Sequence, residues 1–246
     1  MFGDFLEKHP EVRKKIIIQT KCGICNGYYD SSKEHILNSV TKSLKNFKTD
    51  YIDILLLHRP DTLMEPKEIA EAFNELYEAK KVKYFGVSNM NPYQMQLIQK
   101  YLKFPLVINQ LQFSLVHAGM IDSGINANMT NAGSIDHDGS ILEYCRLNDI
   151  TIQPWSILQA SWENGCFLNH PDYQNLNQKL VELATKYNVS KAAIAVSWIL
   201  RHPADMQPIC GTTSINNLEQ LCQVCDVELS RKEWYELYLA VDRRLP

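Results

Sequence analysis

Six times along this 246-residue chain a short aliphatic run ends in side chains that can move protons or hold a polar ligand. Lys21 closes Ile16-Ile17-Ile18-Gln19-Thr20, and His58 closes Tyr51-Ile52-Asp53-Ile54-Leu55-Leu56-Leu57. Ser88 and Asn89 follow Val82-Lys83-Tyr84-Phe85-Gly86-Val87, and Asn109 and Gln110 follow Leu106-Val107-Ile108. Trp155 and Ser156 end Ile150-Thr151-Ile152-Gln153-Pro154, and Gly211 and Thr212 end Met206-Gln207-Pro208-Ile209-Cys210. An ammonium and an imidazole serve acid–base chemistry, amides and hydroxyls supply donors and acceptors, and an indole offers a flat stacking surface.

The elements that must position these groups alternate. Helical patterns separate the six runs, and such alternation predicts a parallel sheet with crossover helices. Polar residues at the C-terminal ends of successive strands predict an α/β fold of the (β/α)8 TIM-barrel kind, whose active site is built from those ends. Ser31-Ser32-Lys33-Glu34 offers a capping box before Ile36, Leu37, Val40 and Leu44. Pro66 and Pro92 stand where first helical residues belong, Pro92 behind Asn91 as a cap. Further helices are expected at about residues 141–147, 175–187, 190–201 and 217–224, with a last one from the Ser230-x-x-Glu233 box. With no repeat or linker, residues 1–246 are expected to form a single domain. Residues 116–139 lack a clear period and are expected to be a long functional loop. Asp136-His137-Asp138 within it is expected to be solvated rather than a metal cluster.

Composition narrows the function. A net charge of −3 gives no basic field for nucleic acid, and no run approaches the roughly 18 apolar residues of a membrane span. A cytoplasmic enzyme is expected. The seven cysteines include two C-x-x-C pairs, Cys22/Cys25 and Cys222/Cys225. These pairs lie far beyond the spacing of about 15–20 residues in a zinc ribbon. Reduced, mostly buried thiols are expected, with Cys222 and Cys225 on a buried helix face beside Leu218 and Leu221 and no metal.

Taken in order, Gln19-Thr20-Lys21-Cys22-Gly23, Asp53-Ile54-Leu55-Leu56-Leu57-His58-Arg59-Pro60, Gly86-Val87-Ser88-Asn89, Asn109-Gln110 and Pro154-Trp155-Ser156 are specific as a set. From first residue to last the chain resembles the aldo/keto reductase family, in its bacterial general-oxidoreductase branch. The resemblance implies reduction of small aldehydes or ketones by hydride from NADP(H), with NAD(H) as the alternative cofactor, and without a Rossmann fold. It implies that Lys21 lowers the pKa of a tyrosine acid and that His58 orients and polarises the carbonyl. Ser88, Asn89 and Gln110 would hold the nicotinamide carboxamide, and Trp155, with Ser156 beside it, would stack on the nicotinamide ring. Gly211, Thr212, Thr213, Ser214 and Asn217 would form a phosphate site at a helix N-terminus.

Two departures accompany the resemblance. Relatives commonly carry lysine or arginine about where Ser214 and Asn217 stand, which puts the NADPH preference in question. The family's tyrosine acid and its aspartate belong ahead of the helix matched by residues 2–8, so the chain is expected to be N-terminally incomplete, with about six of eight βα units. Such a remnant is expected to self-associate, whereas a complete barrel would be a monomer. Tyr28 and Tyr29 follow Lys21 and are poor substitutes for the acid. The alternative to an enzyme is a nucleotide-binding relative without turnover.

Overall fold

The computed structural model describes residues 1–246, which pack into two compact units, Met1–Asn109 and Gln110–Pro246. The first unit opens with α1 (Phe2–Lys8) and a 3₁₀ turn (Pro10–Lys15), then alternates β1 (Gln19–Cys22), α2 (Lys33–Phe47), β2 (Ile52–Leu57), α3 (Pro66–Glu78), β3 (Val82–Ser88) and α4 (Pro92–Gln99). β4 (Leu106–Gln112) carries the chain into the second unit, and the strands are hydrogen-bonded in chain order as far as β5 (Thr151–Trp155). β1 and β3 flank β2 in parallel, with Lys21 opposite Leu56 and Leu57 opposite Val87.

Local chemistry sets the ends of these elements. Pro66 and Pro92 are first helical residues, where a missing N–H leaves no intrahelical bond unmade. Asn91 and Gln94 exchange side-chain-to-backbone bonds in a capping box. Ser32 alone caps α2, through the His35 amide, so the expected box with Glu34 does not form. α3 buries Ile69, Ala70, Ala72, Phe73 and Leu76, and the Phe73 ring stacks 4.3 Å from that of Phe85 on β3. A Cβ at Gly86 would lie 2.5 Å from the Ile108 carbonyl oxygen, so only glycine lets β3 and β4 approach this closely.

β1 begins later than its aliphatic run suggests. The Arg13 guanidinium holds the Ile16 carbonyl, and the Asp53 carboxylate takes the Ile18 N–H, which removes both from a ladder. Ile17 is 73% exposed.

The second unit contains α5 (Gly119–Ile125), α6 (Ile141–Leu147), a hairpin of β6 (Gln159–Ser161) and β7 (Gly165–Cys166), α7 (Gln174–Tyr187), α8 (Lys191–Leu200), α9 (Ile215–Cys222) and α10 (Arg231–Leu239). α8 buries every residue from Ala192 to Ile199. Its Trp198 and Trp234 on α10 each donate an indole N–H to the other's carbonyl, with the rings 5.0 Å and 11° apart.

Several expectations need correction here. The sixth aliphatic run is not a full strand: it makes one parallel bridge, Met206 with Ile152, plus the Ile209 N–H to the Pro154 carbonyl. Between those bonds Pro154, on β5, has no N–H to donate back to this segment, so the ladder does not continue. The segment 116–139 is not simply a loop, since it holds α5 and a 3₁₀ turn at Ala132–Ser134. Cys222 and Cys225 are exposed, as are Cys166 and Cys210, so the thiols are not mostly buried. Asp136 and His137 are exposed, in keeping with a solvated stretch, and Asp136 accepts the Asp138 and Gly139 amides in a turn.

Candidate functional site

In the first unit the chemistry gathers at the C-terminal ends of adjacent strands. Lys21 lies on β1, and His58 follows β2 with its backbone N–H bonded to the Cys22 carbonyl at 2.9 Å. Partial burial pushes His58 below its ordinary value, and the Lys21 and Arg59 charges push it further. Burial and then Arg59 lower Lys21 as well. His58 is therefore a neutral imidazole at pH 7, suited to hydrogen-bond a carbonyl oxygen, beside an ammonium that releases its proton more readily than usual. Arg59, which follows His58 in the chain, thus acts on both neighbours through its charge.

Farther along, Asn89 adopts a left-handed backbone, φ 55°, at the end of β3, and its amide donates to the Ser88 hydroxyl at 2.8 Å. Ser88 is buried. Asn109 donates to the Met90 carbonyl at 2.8 Å, tying the end of β3 to β4.

In the second unit a line of amides runs across neighbouring segments. Gln110 donates to Gln153 at 3.0 Å, and Gln153 donates to Gln207 at 2.8 Å. Gln153, a glutamine inside the apolar run of β5, is the middle member of this line, and its place within an apolar strand is the sequence signal for it. Beside this line a cavity of about 650 Å³ brings together Trp155, Ser156, Gly211, Thr212 and Asn217. Its walls also include Cys166, Gln220 and Leu221, and none of its lining residues carries a charge. Ser156 has φ 55°, so the chain turns sharply as it leaves β5.

Ser214 caps α9 by accepting the Asn217 N–H at 3.4 Å, and the Thr212 hydroxyl accepts from the Ser214 N–H at 3.2 Å and the Asn217 amide at 3.3 Å. Thr213 and Ser214 are not among the cavity's lining residues. This is a polar, uncharged helix entrance able to offer backbone and side-chain donors to an anion.

The chain is similar to known proteins over nearly all of its length. The family model "Aldo/keto reductase family" matches residues 1–240. Oxidoreductase YdhF of Escherichia coli (strain K12) is 32% identical over 247 residues, covering 96% of this chain and 76% of the relative. A 6-dehydroglucose reductase of Agrobacterium fabrum is 31% identical over 256 residues, covering 100% and 79%. Among solved structures, a thermostable aldo-keto reductase superposes with a TM-score of 0.74 at 20% identity, covering 97% of this chain and 76% of that one. The fold is the α/β TIM barrel of those reductases. Carbonyl reduction with nicotinamide cofactors is the family's general activity, its substrates are small carbonyl compounds, and the chain belongs to the aldo/keto reductase family.

Proposed function

We propose that this chain is an NAD(P)H-dependent reductase of small aldehydes or ketones in a cytoplasmic setting, folded as one domain of the family. The reading rests first on Lys21 and His58 at the ends of adjacent parallel strands. The neutral His58 imidazole would donate to the substrate oxygen as charge develops on it. Lys21 would hold the proton-delivering group in its charged neighbourhood.

The uncharged cavity beside Trp155 fits the nicotinamide end of a dinucleotide, because it combines an indole with amides, hydroxyls and a helix entrance. When bound, the dinucleotide supplies the hydride. Trp155 would stack on its ring, Gln110, Ser88 and Asn89 would bind the carboxamide, and Ser156, Gly211, Thr212, Thr213, Ser214 and Asn217 would serve the remainder.

A second reading, nucleotide binding with little turnover, draws support from the tyrosines that follow Lys21. Tyr28 is 61% exposed and hydrogen-bonded to Cys25, and Tyr29 is 47% exposed and bridged to Ile24. Neither fits the role of the positioned acid, which typically contributes about 10² to 10⁴-fold in rate.

The test uses purified protein of residues 1–246. Titration with NADPH or NADH is expected to quench tryptophan emission saturably, and Trp155→Phe should remove most of that quenching. Oxidation of NAD(P)H with 4-nitrobenzaldehyde carries the first reading, and cofactor-dependent quenching without turnover carries the second. Fast turnover abolished by Tyr28→Phe would assign the acid to Tyr28. Absence of any cofactor-dependent quenching would overturn both readings.

A further inference from the structure

Between β1 and α2 the chain forms a small hairpin. The Cys25 N–H donates to the Tyr28 carbonyl, the Asp30 N–H to the Gly23 carbonyl, both at 3.0 Å, and Ile24 bridges Tyr29 in antiparallel fashion. This hairpin fixes Cys25 and Asp30 opposite His35 in the first turn of α2. His35 Nδ1 lies 3.9 Å from Cys25 Sγ and 3.6 Å from Asp30 Oδ2, and the three ligand atoms all lie within 4.8 Å of one another. The expected C-x-x-C pair is thus divided: Cys22 is buried under β2, with its Sγ against the Leu56 carbonyl at 3.8 Å, while Cys25 faces a histidine and a carboxylate.

We infer that Cys25, Asp30 and His35 bind one divalent transition-metal ion of the zinc type, clipping the hairpin to helix α2. In a tetrahedral zinc site, bond lengths of about 2.0–2.3 Å separate neighbouring ligand atoms by roughly 3.4–3.6 Å. The observed pairs need to close by only a few tenths of an ångström to a little over one ångström. A sulfur, an imidazole nitrogen and a carboxylate oxygen together suit zinc rather than magnesium or calcium, which take oxygen ligands. On binding, the Cys25 S–H bond ionises, the proton leaves to solvent, and thiolate plus carboxylate balance the 2+ charge. Water completes the fourth position.

The supporting groups are already placed. Asp30 Oδ1 accepts the Ser32 N–H at 2.9 Å, leaving Oδ2 for the ion, and that amide helps hold the Asp30 carboxyl below its ordinary value. His35 Nε2 lies 3.2 Å from the Ser39 hydroxyl. If Nε2 carries the proton and donates there, the Nδ1 lone pair faces the site, the outer partnership common to metal-bound histidines. None of these residues has a role in the proposed reduction.

The test is titration of the full chain with Co²⁺ and with Zn²⁺. One equivalent of Co²⁺ is expected to give tetrahedral d–d bands and a thiolate charge-transfer band, the latter lost in Cys25→Ser and retained in Cys22→Ser. His35→Ala should weaken binding by about a hundredfold or more, and Ser39→Ala by about 10–100-fold, as for other outer partners. Should a variant not fold, the unaltered protein gives the same answer: Zn²⁺ is expected to slow alkylation of Cys25 by iodoacetamide, mapped by mass spectrometry, while exposed Cys166 reacts at its usual rate. Unslowed alkylation of Cys25, or Co²⁺ binding indifferent to Cys25→Ser and His35→Ala, would overturn the assignment.

Discussion

At His58 the direction of the local field has a measurable consequence. Burial, Lys21 and Arg59 all disfavour its protonated form, so replacing Lys21 by methionine removes one cation and should raise the His58 pKa toward its ordinary 6.5. NMR titration of the imidazole reads this directly, and an unchanged midpoint would show that Lys21 exerts no such field. Lys21 and His58 were legible in the sequence because a charged or titratable group ending an aliphatic strand has few other reasons to be there. The Arg59 contribution was not legible, since adjacency along a chain does not fix where a long side chain points. Cys222 and Cys225 misled for a related reason: an i, i+3 spacing beside leucines defines a helix face, but Leu218 is itself 39% exposed and only Leu221 is buried.

Among the elements, the segment before β1 is secured by one carboxylate. Asp53 on β2 accepts from Arg13 at 2.8 Å, from the Ile18 amide at 2.9 Å and from Lys83 on β3 at 2.8 Å, and Arg13 lies over the Tyr51 ring at 3.7 Å. Burial raises the Asp53 pKa, but these donors outweigh it and leave the group below its ordinary value. Asp53→Asn would leave the nearly buried Arg13 without its counter-ion. Removing one partner of a buried pair costs about 3–5 kcal/mol. Arg13 keeps carbonyl and hydroxyl acceptors, so a loss near the lower bound is expected in denaturant melts, and a loss below about 0.5 kcal/mol would match an ordinary surface change.

At α9, the uncharged entrance formed by Thr212, Ser214 and Asn217 should discriminate weakly between NADPH and NADH. A preference beyond about a hundredfold, near 2.7 kcal/mol at about 1.4 per decade, would mean that a cation elsewhere serves the phosphate. The major helices were readable from caps and apolar period. α5 was not, because Gly119 and Gly124 interrupt its seven residues, and the sixth run falls short of a strand because Pro154 on β5 lacks the N–H that its ladder needs.

For the molecule as a whole, three lowered histidines, His58, His117 and His202, and the two most strongly raised thiols shape the pH range of stability. His202 is pushed down to about 4 by burial and then Arg146, and His58 and His117 are lowered too. Each stays neutral in the fold while the unfolded chain takes up a proton near 6.5, so stability is full above that value and falls as pH drops toward about 4. Cys22 and Cys145 are pushed up to about 12, mainly by burial, so the fold loses stability as pH rises past the unfolded thiol value near 9. The melting midpoint should therefore be flat between about 6.5 and 9. After allowing for the part of the His202 ring open to solvent, its share of the acid limb is about 1–2 kcal/mol, and His202→Gln should flatten that limb. An acid limb unchanged in the variant would remove His202 from the account.

The reciprocal indole pair of Trp198 and Trp234 carries a consequence for optics. Two stacked chromophores at 5.0 Å share their electronic excitation, so the pair should give a bisignate exciton signal in circular dichroism. Its decay reports the parting of α8 from α10. Recorded alongside cofactor-dependent emission from Trp155, it supplies an independent clock for the opening of the second unit.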